Sequence, residues 1–202
     1  DWNEPDRLAE SIEKMNLKHC VITSVDRDDL PDLGANFWAT TVRRVKERNP
    51  EVTLETLIPD FNGIEELIYK VIDAGPEIIS HNMETVRRLT PKVRSRAKYD
   101  ISLKTIETIA KSGKTKPKSG IMVGLGETEE EVLETMDDLI HVGCQVLTIG
   151  QYLQPTRKHL TVKEFVTPEQ FRKYRAIGLE KGFKFVESGP LVRSSYHAER
   201  HV

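Results

Sequence analysis

The residues able to do chemistry in this sequence fall just after short apolar runs. Ser24 and Asp26 follow one run, Asp60 a second, and His81, Asn82 and Glu84 a third. Glu127 follows a glycine-containing turn, and Gln151, Tyr152 and Gln154 follow a further run. Asn82 and Glu84, one residue apart, could hydrogen-bond a ribose diol. They could equally start a helix, with Asn82 as cap and Glu84 at its positive end, and from the residues alone the cap is favoured. Gly120-Ile-Met-Val-Gly-Leu-Gly126 reads as strand, turn and helix start, where glycines let a ligand approach the backbone and free N–H groups favour an anion. It lacks the Gly-Lys-Ser/Thr ending of a P-loop and is no dinucleotide fingerprint, so a plain tight turn is the competing reading. Arg87, Arg88, Lys92, Arg94, Arg96 and Lys98 form a basic stretch that suits a carboxylate, a phosphate or an acidic partner, or simply a solvated face. Neither His81 nor His141 has a histidine at metal-ligand spacing, which argues against zinc. Arg193-Ser-Ser-Tyr-His-Ala198 reads as a polar tail, and no Gly-x-Ser-x-Gly elbow is present.

The elements that must position these groups alternate regularly. Strand-like runs at 20–25, 52–58, 77–81, 119–124, 145–150 and 183–186 are separated by amphipathic stretches at 37–48, 64–74, 99–111, a helix capped by Thr128 with Glu131, and a helix opened by Thr167-Pro168. A first helix spans 5–15, with Asn3 as its cap. Such alternation predicts an α/β fold with a parallel sheet, either open and doubly wound or closed toward a barrel. Both place functional groups at the carboxyl ends of strands, where the polar residues collect.

A length of 202 residues suits one domain with a sizeable core, read here as 1–202 with a C-terminal tail at 188–202. A net charge of -2 offers no basic field for nucleic acid, and no apolar run is long enough for a membrane. The chain opens at Asp1, without a signal peptide, and its start without Met predicts a trimmed piece of a longer protein. Cys20 and Cys144 sit inside apolar runs and read as small buried hydrophobes. Two lone cysteines cannot hold an iron–sulfur cluster that wants four ligands.

Several segments together resemble lipoyl synthase, a radical S-adenosylmethionine (SAM) enzyme family. They are residues 21–30, Pro59-Asp-Phe61, His81-Asn-Met-Glu-Thr85, residues 118–127, residues 148–155 and, most tellingly, residues 188–198 with Arg193-Ser-Ser-Tyr196. They occur in order along essentially the whole chain. The resemblance implies a partial (β/α) barrel of the TIM-like, radical SAM type, with SAM at the carboxyl ends of the strands. It implies two [4Fe-4S] clusters: one that cleaves SAM, and an auxiliary one that donates sulfur to C6 and C8 of an octanoyl-lysine. Ser195 matches the family's serine ligand to the auxiliary cluster, and Arg193 is expected beside the substrate or that serine. Ser24 and Asp26 would hold the methionyl end of SAM, Asn82 and Glu84 its ribose, and Arg94 its carboxylate. Gly124 and the Tyr152-Leu153 backbone would flank the adenine. Implied partners are octanoylated carrier domains (the E2 subunits of 2-oxoacid dehydrogenases and the glycine cleavage H protein) and an electron donor such as flavodoxin or ferredoxin.

Neither cysteine motif of the family is present, and its first barrel strand would precede Asp1. Taken alone, such a chain would be inactive and would carry an unpaired sheet edge. Two other readings compete: a cluster-less barrel that binds SAM or the carrier, and another radical SAM sulfur inserter of the biotin-synthase kind. The Arg193–Ala198 ending weighs against the latter.

Overall fold

The computed structural model describes residues 1–94 and 96–201. In chain order the elements are α1 (Glu4–Lys14), β1 (His19–Thr23), α2 (Ala35–Arg48), β2 (Thr53–Leu57), α3 (Glu65–Ile72), β3 (Ile78–Ser80), the one-turn α4 (Thr90–Val93), α5 (Tyr99–Ser112), β4 (Lys116–Val123), α6 (Glu129–His141), β5 (Val146–Gln151), α7 (Pro168–Lys181) and β6 (Phe185–Gly189). Every neighbouring pair is parallel, and the sheet order is the chain order, β1 to β6. A doubly wound sheet reverses its order at a switch point; this one does not. Right-handed crossovers therefore put every helix on the same face, and the sheet curls into a partial (β/α) barrel.

The helix-side face carries the cores. Ile22, Leu54 and Ile79 pack with Ala9, Ile12, Trp38, Val42 and Ile68 of α1–α3. Ile121, Leu147, Ile149 and Val186 pack with Ile106, Val132, Met136 and Phe171 of α5–α7. The alternate positions point inward, and there the barrel holds Glu55, Ser80, Lys118 and Thr148, all buried. An interior of this polarity is unlike the layers of branched apolar side chains that fill an ordinary closed barrel.

Element ends differ in places from the sequence reading. Asn3 makes no side-chain cap; Asp1 accepts from the amides of Asn3 and Glu4 instead. No helix starts at Asn82 or holds Val86, so the capping alternative fails. Strand β4 begins at Lys116, because Lys116 and Lys118, which look like loop residues, face the barrel interior. The Thr128–Glu131 capping box forms as expected.

Candidate active site at the carboxyl ends of the strands

The chain leaving β6 does not stay outside the barrel. Residues 190–201 form a strap that crosses the mouth and descends into the interior. Gly150 makes the crossing possible, since a Cβ there would lie 2.3 Å from the Val192 carbonyl oxygen. Arg193 Nη1 donates to that carbonyl at 2.7 Å and approaches the Gln151 carbonyl at 3.5 Å. Ser194 Oγ accepts from Asn82 Nδ2 at 3.0 Å, and the Ser194 carbonyl accepts from Lys118 Nζ at 2.6 Å. Ser195 stays exposed, next to these anchors. The strap ends at His201, fully buried, with its ring 5.7 Å from that of Phe185 and its carbonyl taken by Lys116 Nζ. Phe185 and Lys116 are the first residues of their strands, so the strap runs from the carboxyl toward the amino ends of the sheet.

Beneath the strap lies a buried ion pair that sequence reasoning missed. Lys118 Nζ lies 2.8 and 2.9 Å from the two Glu55 oxygens, and Ser80 Oγ donates to Glu55 Oε1 at 2.7 Å. The lysine and glutamate side chains are 1% and 0% exposed, so neither charge is solvated by water. Burial lowers the Lys118 pKa, and the Glu55 carboxylate draws it back up. His201 Nδ1 sits 3.3 Å from the same ammonium. Burial, Lys118 and then His19 push the His201 pKa down to about 4, so the imidazole is neutral near neutral pH. The available signal was the placement of Glu55 and Lys118 at inward positions of two strands, which strand periodicity reveals once the strand limits are known.

Around the mouth, Arg94 is the shared cation. Its Nη1 donates to Ser102 Oγ at 2.7 Å, and its charge acts on Asp26, His81 and Glu84. Burial raises the Glu84 pKa, opposed by the hydrogen bond from Asn82 and the charge of Arg94. Glu84 holds a left-handed φ of 66°, fixed by its amide donating to the Gly120 carbonyl and its carbonyl accepting from Met122. A non-glycine residue in that region is strained, and such strain gathers at functional sites. Asp26 lies in a notch of about 50 Å³ with Asp60 and Arg94, and its pKa is raised by burial, then by Asp28 and Asp60. Ser24 lies apart from it, donating to the Val25 carbonyl and lining a cavity of about 820 Å³ between α1, β1 and α2.

The Gly124 turn is occupied by protein. A Cβ there would lie 2.3 Å from Gln151 Nε2 and 2.4 Å from the Glu164 carbonyl oxygen. The Gln151 amide group donates to the Tyr152 and Glu164 carbonyls and accepts from the Val166 amide, pinning the long loop between β5 and α7. Tyr152 is buried, with its hydroxyl on the Leu160 carbonyl, while Leu153 is exposed. The basic stretch is largely spent on internal acids: Arg87 pairs with Asp100 and Asp138, Arg88 with Glu131, and Arg96 with Asp28.

Neither cysteine approaches the mouth. Cys144 is buried behind β4 and β5, where burial pushes its thiol up to about 12, and Cys20 packs against the α1–α3 core. Among the described residues no group of three or more His, Cys, Asp or Glu side chains could hold a metal ion. Cluster ligation therefore does not fit the described residues as a set. SAM does fit the mouth, where a strained, half-buried acid beside an amide offers what a vicinal diol binds. No helix among the described residues is long and apolar enough to cross a membrane.

The fold is that of a radical SAM barrel. The family model described as Radical SAM superfamily matches residues 1–139. Solved structures share the fold: SuiB of Streptococcus suis bound to its precursor peptide, with a TM-score of 0.66 at 12% identity over 93% of this chain and 42% of that one, and the hydrogenase maturase HydG, with 0.69 at 16% over 93% and 44%. Sequence relatives narrow the class. Lipoyl synthase of Bacteroides thetaiotaomicron is 66% identical over 202 residues, all of this chain and 71% of that protein. The Parabacteroides distasonis and Treponema denticola lipoyl synthases are 64% and 62% identical, over 100% and 99% of this chain and 72% and 69% of theirs. The chain belongs to the lipoyl synthase family.

Proposed function

We propose that this barrel inserts two sulfur atoms, at C6 and C8 of an octanoyl group amide-linked to a carrier-domain lysine, to give lipoyl-lysine. The strap carries this reading: it sets exposed Ser195 directly after Ser194, which is tied to the mouth residue Asn82. Ser195 is the one iron ligand we assign within the chain, to an auxiliary [4Fe-4S] cluster. The cysteine ligands of that cluster and of the SAM cluster are placed in the part of the relatives' length that this chain does not cover. Ser195 would hold iron through a serine oxygen, a weaker ligand than a thiolate.

When bound, SAM and its cluster would supply the radical chemistry that an unactivated C–H bond requires. The chain's own residues bind and orient. Asn82 and Glu84 take the ribose hydroxyls, Arg94 the carboxylate, and Asp26, in the notch beside Arg94, the methionyl end; Ser24, on the separate cavity, is not part of that set. The loop edge at Tyr152 and Leu153 walls the adenine, with Gly124 leaving room for that loop. Arg193 holds the strap at Gln151 beside the substrate. Val25, Leu153, Phe165 and Leu191, exposed on the loops and strap of this side, offer apolar surface to an acyl chain and its carrier. We assign the carrier to the E2 and glycine cleavage H type, the electron donor to the flavodoxin or ferredoxin type, and the compartment to the cytoplasm. Residues 1–202 act as one domain in this reading.

The test is anaerobic reconstitution of the full-length protein, followed by assay of an octanoyl-lysine peptide with SAM and reductant. About eight irons, as two four-iron clusters contain, and conversion to lipoyl product are expected. Two clusters with SAM cleavage but no sulfur in the peptide would overturn the reading.

A further inference from the structure

The buried pair has no part in the SAM contacts above, yet it meets the strap at the residue before Ser195. Two charged groups are removed from water at the centre of the barrel, a placement that is weak as a source of stability and often neutral to replace by uncharged residues. A lysine ammonium has three donors and needs acceptors for all of them when buried. Glu55 accepts from it with both oxygens, at 2.8 and 2.9 Å, and the Ser194 carbonyl accepts at 2.6 Å. A fourth polar atom, His201 Nδ1, lies 3.3 Å away at the far end of the strap. Lys118 thus grips the strap at two points seven residues apart, and Glu55 with Ser80 fixes the grip.

We propose that Lys118 is a positioning residue: held by Glu55, it anchors the strap at Ser194 and His201 and so sets the place of Ser195 at the mouth. The titratable groups facing the ammonium are Glu55 on β2, Glu187 on β6 and the neutral His201 on the strap, with His19 on β1 beside Glu55. The proposal rests on the reading of Ser195 as a cluster ligand for its consequence, but not for the anchoring itself.

The two parts separate experimentally in the full-length protein. Lys118→Met alone leaves Glu55 unpaired and can unfold the barrel, so the Glu55→Gln/Lys118→Met double variant, which removes both charges, carries the test. Hydrogen exchange of strap amides 192–201 should rise about tenfold or more in the double variant, since each charge-assisted bond lost is worth about a factor of ten, while α6 amides keep their protection. Unchanged strap exchange in a folded double variant would overturn the anchor. Mössbauer spectra then address the consequence. With Ser195 as ligand, Ser195→Ala and the double variant should both lose the same non-thiolate iron site of one cluster and leave the other cluster intact. A loosened strap with an unaltered spectrum in the double variant would overturn the claim that Lys118 places Ser195. An unaltered spectrum in Ser195→Ala would overturn the ligand reading and leave the anchor standing.

Discussion

Gly124 and Gly126 share a φ of 100°, which makes them a matched pair for separating backbone strain from steric conflict. Alanine at either position must hold a left-handed backbone, at about 1–2 kcal/mol. At Gly126 the new Cβ meets only Lys163 Cγ at 3.5 Å, an ordinary contact with a flexible side chain. At Gly124 it falls 2.3 Å from Gln151 Nε2 and 2.4 Å from the Glu164 carbonyl oxygen. Both must move, and with them go the Gln151 bonds to the Glu164 carbonyl and Val166 amide and the amides of Lys163 and Glu164 on the Gly124 carbonyl. At about 1 kcal/mol per net hydrogen bond, losing two or three of these four adds roughly 2–3 kcal/mol. Gly126→Ala should therefore lower unfolding free energy by about 1–2 kcal/mol and Gly124→Ala by about 3–5 kcal/mol. Urea unfolding gives the two values, and limited proteolysis should cut within 155–166 only in Gly124→Ala. Equal losses, or a loop equally resistant in both variants, would show that Gly124 does not seat this loop.

Further outcomes follow from the same geometry. Glu84→Gln removes a charged acceptor from the proposed ribose site and should raise KM for SAM about tenfold or more, the value of one charged hydrogen bond, with SAM titration as the check. His81 is 2% exposed, and burial, then Arg94, lower its pKa to about 4 from 6.5. The unfolded chain takes up its proton below pH 6.5 and the folded chain only near pH 4, so stability falls as pH drops through that window, by up to about 3 kcal/mol. His81→Gln should flatten that slope relative to the parent in urea titrations at pH 7 and pH 4.5, and an identical slope would remove His81 from the account. Lys118→Met should destabilise by about 3–5 kcal/mol, and Glu55→Gln/Lys118→Met by much less, as read from thermal or urea unfolding.

Much of the strand–helix alternation was legible because the outer face of each strand and the inner face of each helix are apolar at regular spacing. Ile121, Leu147 and Ile149 against Val132 and Met136 are examples. The choice of barrel over doubly wound sheet was not, since order in the sheet is a tertiary fact; only the resemblance supplied it. The interior was also hidden. Lys116-Pro-Lys118 has the composition of a loop, and its role as the start of β4 depends on partners in β2 and the strap. The polar residues after the strands were visible as a group, but sequence spacing did not show that Ser24 and Asp26 line different cavities. Nor could it show that the side chain of Asn82 reaches residue 194, 112 positions away, rather than capping a helix.

In the proposed function the strap presents Ser195 as a ligand at the mouth of a sulfur-inserting barrel. The most direct test of that role compares full-length parent and Ser195→Ala after anaerobic reconstitution, scoring SAM cleavage and lipoyl product in the same reaction. Ser195→Ala is expected still to cleave SAM but to yield no more than a trace of lipoyl product. Product formation at the parental rate by Ser195→Ala would contradict that role.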